Sequence, residues 1–261
     1  MSFTVIIPAR FQSSRLPGKP LMDIHGYPMI QWTWLQAKKS GAERIIITTE
    51  SKQVEQACLA FGAEVCLTSD HHQSGTERIA EVIDLLQLDD NEVIVNVQGD
   101  EPMLPPELIH QVAQGLANQL NDRGVVAHMA TLCEPIEDID TVFDAHAVKV
   151  TRDAHNYAIN FSRAALPWAR DEFALTDRQM PSNWHYKRHI GLYAYTAGFV
   201  KQYVAWPACD LEQVEKLEQL RVLWHGEKIL VLDALMDAGI GVDTESDLIK
   251  VRQKLSAENF K

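Results

Sequence analysis

Arg10, Arg15 and Lys19 stand within one short, helix-breaking stretch of the chain. Pro8, Pro17, Gly18 and Pro20 punctuate it, and Ser13 and Ser14 add hydroxyls and local turn chemistry. In such a loop, backbone N–H groups and hydroxyls can cradle phosphate oxygens while Arg and Lys neutralise their charge. The spacing matches neither Gly-x4-Gly-Lys-Ser/Thr nor Gly-x-Gly-x-x-Gly, so the phosphate seat is not that of a P-loop kinase. An ordinary basic surface loop would have the same composition, and composition alone does not choose between the two.

Other residues invite chemistry. Asp100 and Glu101 follow an apolar run at 92–97, between Gly99 and Pro102. A carboxylate just beyond the C-terminal end of a central strand sits where open α/β sheets bind ligands. Hard carboxylate oxygens there suit magnesium, a cation that also grips phosphate. The plainer role for an Asp in a turn is an Asx-turn, and spacing does not separate Asp100 from Glu101. Ser74, Gly75 and Thr76 lead into a helix expected at 77–86. A glycine at a helix N-terminus lets the backbone approach a planar ligand closely; a simple capped helix start reads the same way. His71 and His72 are neighbours on a loop with no third ligand at helical spacing, which argues against a metal site. Arg163, at a strand end, could hold a carboxylate through two parallel hydrogen bonds.

These groups need elements to position them. Residues 3–7 are apolar and rich in β-branched side chains, and Pro8 ends them abruptly, the pattern of a buried parallel strand. A helix is expected at 28–40 with Gly41 past its end, then a strand at 44–49. Ser51 is an N-cap for a helix to Phe61, Gly62 stops it, and a strand follows at 64–68. This alternation is the rhythm of a parallel sheet covered by helices on both faces. A strand at 92–97, a helix at 105–120 and a strand at 125–132 continue it. From about residue 135 the pattern changes. Strand-like runs at 147–150, 157–161 and 189–195 suggest a smaller, more antiparallel lobe, with a polar loop at 170–187 expected to be mobile or interfacial. Apolar residues at 211, 214, 217, 220 and 223 form a helical stripe that reads mainly as core. A strand at 228–232 and a helix at 245–255 close the chain.

The 261 residues are 46% hydrophobic and 23% charged, as expected for a globular protein. No apolar run approaches the ~18–20 residues that cross a bilayer. The chain starts directly on a strand, so a signal peptide is not expected. Cys58, Cys66, Cys133 and Cys209 show no C-x-x-C spacing and read as reduced thiols in a cytoplasmic protein. The net charge of −12 argues against nucleic acid as a partner and gives anions no general steering. Any anion site must therefore be local.

Pro8-Ala9-Arg10 and Ser14-Arg15-Leu16-Pro17-Gly18-Lys19-Pro20-Leu21 resemble the signature of the sugar-acid cytidylyltransferases, nearest to those that act on 3-deoxy-D-manno-octulosonate (KDO). Further matching stretches are 72–78, 96–102, 161–163 with 166–168, 188–195, 217–221 and 239–244, so the resemblance covers essentially the whole chain. It implies a mixed, mostly parallel, Rossmann-like α/β sheet of the nucleotide-diphospho-sugar transferase type. A nucleotide-binding core at about 1–134 and 205–261 would carry a β-rich sugar-binding lobe at 135–204. The implied reaction transfers CMP from CTP to KDO with release of pyrophosphate, activating KDO for lipopolysaccharide synthesis. Pro8, Ala9, Arg10, Ser14, Arg15, Lys19, Ser74, Gly75, Thr76, Arg78 and Asp100 would bind the nucleotide. Gln98, Arg163, His189, Tyr193 and Glu218 would bind the sugar. Asp100 and Asp243 would hold Mg2+, and Arg10 and Lys19 would join them as catalytic groups. A cytoplasmic homodimer built through the smaller lobe is also implied. Two departures, Asn160 and Asp144-Ala145-His146, leave the acceptor less fixed than the nucleotide, so an 8-amino analogue of KDO or a sialic acid stays open. A non-catalytic sensor would be expected to lose carboxylates or loop cations, and none is missing.

Overall fold

The computed structural model describes residues 2–12, 16–121 and 127–255. Ser14, Arg15 and the first residues of the strand expected at 125–132 lie outside them. The chain begins with β1 (Thr4–Pro8), a two-strand turn of β2 (Asp23–Ile24) and β3 (Tyr27–Pro28), and α1 (Met29–Lys39). Then come β4 (Arg44–Thr49), α2 (Lys52–Ala60), β5 (Glu64–Leu67), α3 (Gly75–Leu85), β6 (Val93–Asn96) and α4 (Pro106–Asn121). The middle of the chain holds β7 (Ala127–Pro135), α5 (Ile139–Phe143), β8 (Lys149–Arg152), β9 (Ala158–Ser162) and β10 (Lys187–Thr196). It ends with α6 (Ala197–Ala205), α7 (Asp210–Glu215), α8 (Gln219–Trp224), β11 (Lys228–Asp233) and α9 (Glu245–Lys254).

The main sheet runs β11-β7-β10-β6-β1-β4-β5. Neighbouring strands are parallel except that β10 runs antiparallel to both β6 and β7. Successive strand residues point to opposite faces, and the apolar residues of β1 divide accordingly. Val5 and Ile7 pack with α1, α2 and α4, while Ile6 packs with α3, α6 and α8. The sheet is thus mixed, mostly parallel and covered on both sides. Local signals hold where they were read. The Ser51 side chain caps α2 at the Val54 N–H, and Gly62 leaves it at φ 83°.

Two expectations give way and a third is refined. β10 and α6 do not belong to a separate lobe, because β10 pairs along its length with β7 and at Tyr193–Thr196 with β6. What branches from this strand order is the β8–β9 pair, which joins the same sheet at Arg188 of β10. The 170–187 loop is polar and mostly exposed, as expected, but it is anchored at two points. Phe173 and Tyr186 are buried in a small cluster with Ile136 and Val142, and the Tyr186 hydroxyl donates to the Pro167 carbonyl at 2.6 Å. The stripe at 211–223 is not one helix. Lys216 adopts φ 54° and divides it into α7 and α8. Only its second half is core: Leu217 and Leu220 are buried, whereas Leu211 and Val214 are exposed.

Candidate active site

The C-terminal ends of β1 and β6 open onto a cleft of two joined halves, each about 400 Å³. Gly75, Gln98 and Glu218 line both halves. The first half is built by loops that must touch. The Gly99 N–H donates to the Pro8 carbonyl at 3.3 Å. A Cβ at Gly99 would lie 2.9 Å from that oxygen, so only glycine lets the two loops meet this closely. Gly18, at φ 70°, turns the chain into the short 3-10 turn that begins with Lys19. The Val242 N–H donates to the Asp100 carbonyl at 2.9 Å, and Thr244 with Asp247 caps α9. This docks Asp243 beside Asp100, far from it in sequence.

Lys19 is the centre of this half. Its Nζ lies 2.5 Å from Asp100 Oδ2 and 3.2 Å from Asp243 Oδ1. Lys19 is buried, while the two carboxylates remain 36% and 57% exposed. Pro8, Ala9, Arg10, Ser74 and Gly75 line the same half. Arg10 also lines this half, and its Nη2 is buried with no hydrogen-bond partner among the described residues. Next to the aspartates, burial and their negative charges push the Glu101 carboxyl up to about 8. Glu101 is therefore mostly protonated at pH 7.

The donor set fits magnesium. Two carboxylates converge on one point, and the single lysine between them leaves a net negative charge. Their exposure leaves room for water. Among the described residues no three His, Cys, Asp or Glu side chains converge as a complete cage. Mg2+ needs only one or two carboxylates when waters and substrate phosphates supply the rest.

The second half is richer in hydroxyls and rings. His189, Tyr193 and Tyr195 project from one face of β10, with Arg188 beside them, and Tyr203 comes from α6. Burial pushes His189 down to about 3, so its imidazole is neutral, and its Nε2 lies 3.0 Å from Thr131 Oγ1. Burial raises the Tyr193 phenol well above its ordinary value, so it too is uncharged. The break between α7 and α8 delivers Glu218 into the cleft. Its Oε2 accepts from the Thr76 hydroxyl at 2.9 Å, and burial raises its carboxyl above the usual range. Beside it, Gln219 is buried with Nε2 unpartnered among the described residues.

The structure thus gathers Arg10, Lys19, Ser74, Gly75, Gln98, Asp100 and Asp243 in one half, and Thr76, His189, Tyr193 and Glu218 in or beside the other. Two expected ligand residues stand elsewhere. Arg78 is fully buried behind the cleft, paired with Glu50 at 3.0 Å and bonded to the Thr68 hydroxyl at 2.5 Å. Arg163 spends its guanidinium on backbone: Nε donates to the Glu215 carbonyl at 2.7 Å and Nη1 to the Ala145 carbonyl at 2.9 Å. It braces the segments that carry His146 and Lys216, which do line the second half. Sequence reasoning missed Gln12, His146, Arg188, Tyr195, Lys216 and Gln219. Period-2 alternation from His189 and Tyr193 could have found Tyr195; nothing local marks the helix break that exposes Lys216.

Residues 4–229 match the family described as Cytidylyltransferase. The chain is 68% identical over 259 residues to the 3-deoxy-manno-octulosonate cytidylyltransferase 1 of Hydrogenovibrio crunogenus, covering 99% of this chain and 98% of that one. It is 54% identical over 256 residues to the 3-deoxy-manno-octulosonate cytidylyltransferase of Pseudomonas fluorescens, covering 98% and 99%. Its structure resembles that of a CMP:2-keto-3-deoxy-manno-octonic acid synthetase complexed with CTP, with a TM-score of 0.85 and 36% identity over 97% of both chains.

Proposed function

Because the chain belongs to the cytidylyltransferase family, we propose that it transfers CMP from CTP to KDO and releases pyrophosphate. The observation that carries this reading is the joined cleft. A half built around Arg10, Lys19, Asp100 and Asp243 opens directly onto a half lined by hydroxyls, rings and Glu218. The first suits a triphosphate and the second a polyhydroxylated acid.

The sugar's anomeric hydroxyl attacks the α-phosphorus in line, and the pyrophosphate leaves toward the β1 loop. No covalent protein intermediate is required. The chain contributes position and charge. Arg10, with its unpartnered Nη2, and Lys19 neutralise the phosphates. The α3 N-terminus at Ser74–Thr76 approaches the cytidine. Gln98, on the boundary between the halves, together with His189, Tyr193 and Glu218, orients the acceptor. Magnesium held by Asp100 and Asp243 would supply further charge neutralisation at the α-phosphate.

Four large apolar side chains of the 135–204 region, Ile159, Trp168, Leu175 and Trp184, are exposed. They support a homodimer through that region, which light scattering tests directly. The free thiols support a reducing, cytoplasmic setting. The activity is tested by pyrophosphate release with CTP, magnesium and a panel of KDO, its 8-amino analogue and a sialic acid. KDO is the expected best acceptor, and release with none of the three would refute the reading.

A further inference from the structure

Glu50 lies just past β4, outside the cleft, and touches neither half of it. Its side chain is nonetheless mostly buried and divided between two tasks. Oε2 pairs with Arg78 Nη2 at 3.0 Å, and the two side chains are 14% and 1% exposed. Oε1 accepts the Phe11 N–H at 2.9 Å. Phe11 is the pivot of the cationic loop. Arg10 precedes it, and its own carbonyl accepts the Gly18 N–H at 3.0 Å, just before Lys19. One carboxylate oxygen therefore fixes the backbone from which Arg10 and Lys19 hang.

Behind Glu50 the polar contacts continue. Arg78 donates to Thr68 Oγ1, which lies 3.0 Å from Thr48 Oγ1, and the Thr48 carbonyl accepts the Ala9 N–H at 2.8 Å. Arg78 belongs to α3, whose first turn lines the cleft. The network links that helix to the β1 loop from beneath. A buried guanidinium must be paired, and Glu50 supplies that charge, so Arg78 adds no uncompensated cation to the phosphate seat.

We propose that Glu50 is a positioning residue for CTP. Acting through the Phe11 N–H, with Arg78 as its anchor, it holds Arg10 and Lys19 at the spacing that the triphosphate needs. This rests on CTP being the substrate, which pyrophosphate release by the unaltered protein tests separately.

Two substitutions separate the tasks. Glu50→Asp keeps the charge for Arg78 but shortens the reach to Phe11. Glu50→Gln keeps an acceptor for Phe11 but removes the charge. Losing the Phe11 bond should raise the KM for CTP about tenfold in Glu50→Asp and leave the KM for KDO within about threefold. Glu50→Gln should show the smaller rise in KM and the larger fall in melting temperature, because the buried Arg78 loses its paired carboxylate. In the unaltered protein, the Phe11 amide should exchange slowly with deuterium, a measurement that needs no variant to fold. A wild-type KM for CTP in Glu50→Asp, or equal rises for CTP and KDO, overturns the proposal. Fast exchange at Phe11 does the same.

Discussion

Replacing Arg163 with lysine distinguishes a sugar clamp from an internal brace. The guanidinium makes two bonds, to the Glu215 carbonyl at 2.7 Å and the Ala145 carbonyl at 2.9 Å. Lysine keeps the charge, but one compact ammonium reaches at most one of them. A hydrogen bond to a charged group contributes about 1.5–3 kcal/mol. Arg163 is partly solvated, so the loss belongs near the lower end, about 1–2 kcal/mol. For a chain of this length that lowers the melting temperature by roughly 2–8 °C. The braced segments continue into His146 and Lys216, so the KM for KDO should also rise, by less than about tenfold. A side chain gripping the sugar's carboxylate would behave oppositely, with a KM raised about 10–100-fold and an unmoved melt. Titrating KDO at saturating CTP, beside a thermal melt, gives both numbers. A large KM effect with an unchanged melting temperature would refute the brace.

Asp100→Asn should lower turnover by at least about 10²–10³-fold while the fold persists; near-normal turnover across a magnesium titration would remove Asp100 from the metal site. Lys19→Ala should weaken CTP use and leave the preference between KDO and its 8-amino analogue unchanged, read as the ratio of their kcat/KM values. His189 titrates near 3 when folded and near its ordinary 6.5 when unfolded, so below pH 6.5 the unfolded chain binds the extra proton. Its contribution to stability is complete above pH 6.5 and is lost as pH falls toward 3, reaching about 2 kcal/mol of loss at pH 5. Urea unfolding at pH 8 and pH 5 should show this loss shrinking in His189→Gln; an identical loss in both proteins would place the acid-sensitive group elsewhere.

The sheet core was legible because its signals are local. The apolar run before Pro8, the Ser51 cap and the Gly62 stop each act within a few residues, and the structure keeps all three. Asp100 and Glu101 were both legible as candidates from their place after β6, and only the family resemblance chose Asp100; its meeting with Lys19 and Asp243 depends on the Val242–Asp100 bond between distant segments. The positions of Arg78 and Arg163, off the cleft lining, were hidden for a related reason. An arginine's partner decides its role, and Glu50 and the 145 and 215 carbonyls are remote in sequence from the residues they hold. The α7–α8 break was hidden because its two halves keep the apolar spacing while Lys216 reverses the chain. Periodicity reports which residues share a stripe, and it does not see one residue in the left-handed region.

The antiparallel course of β10 bears on how the acceptor preference could be re-engineered. The strand that carries His189, Tyr193 and Tyr195 is hydrogen-bonded to β6 on one side and β7 on the other. Its opposite face, Ile190, Leu192 and Ala194, belongs to the main core. The second half of the cleft is therefore not a cassette. Grafting the 135–204 region from a relative with another sugar preference would pull a central strand out of the sheet and carry the donor half down with it. Retuning has to proceed by side-chain exchange on the cleft side of β10 and at the Lys216–Gln219 bend, where the backbone can stay as it is.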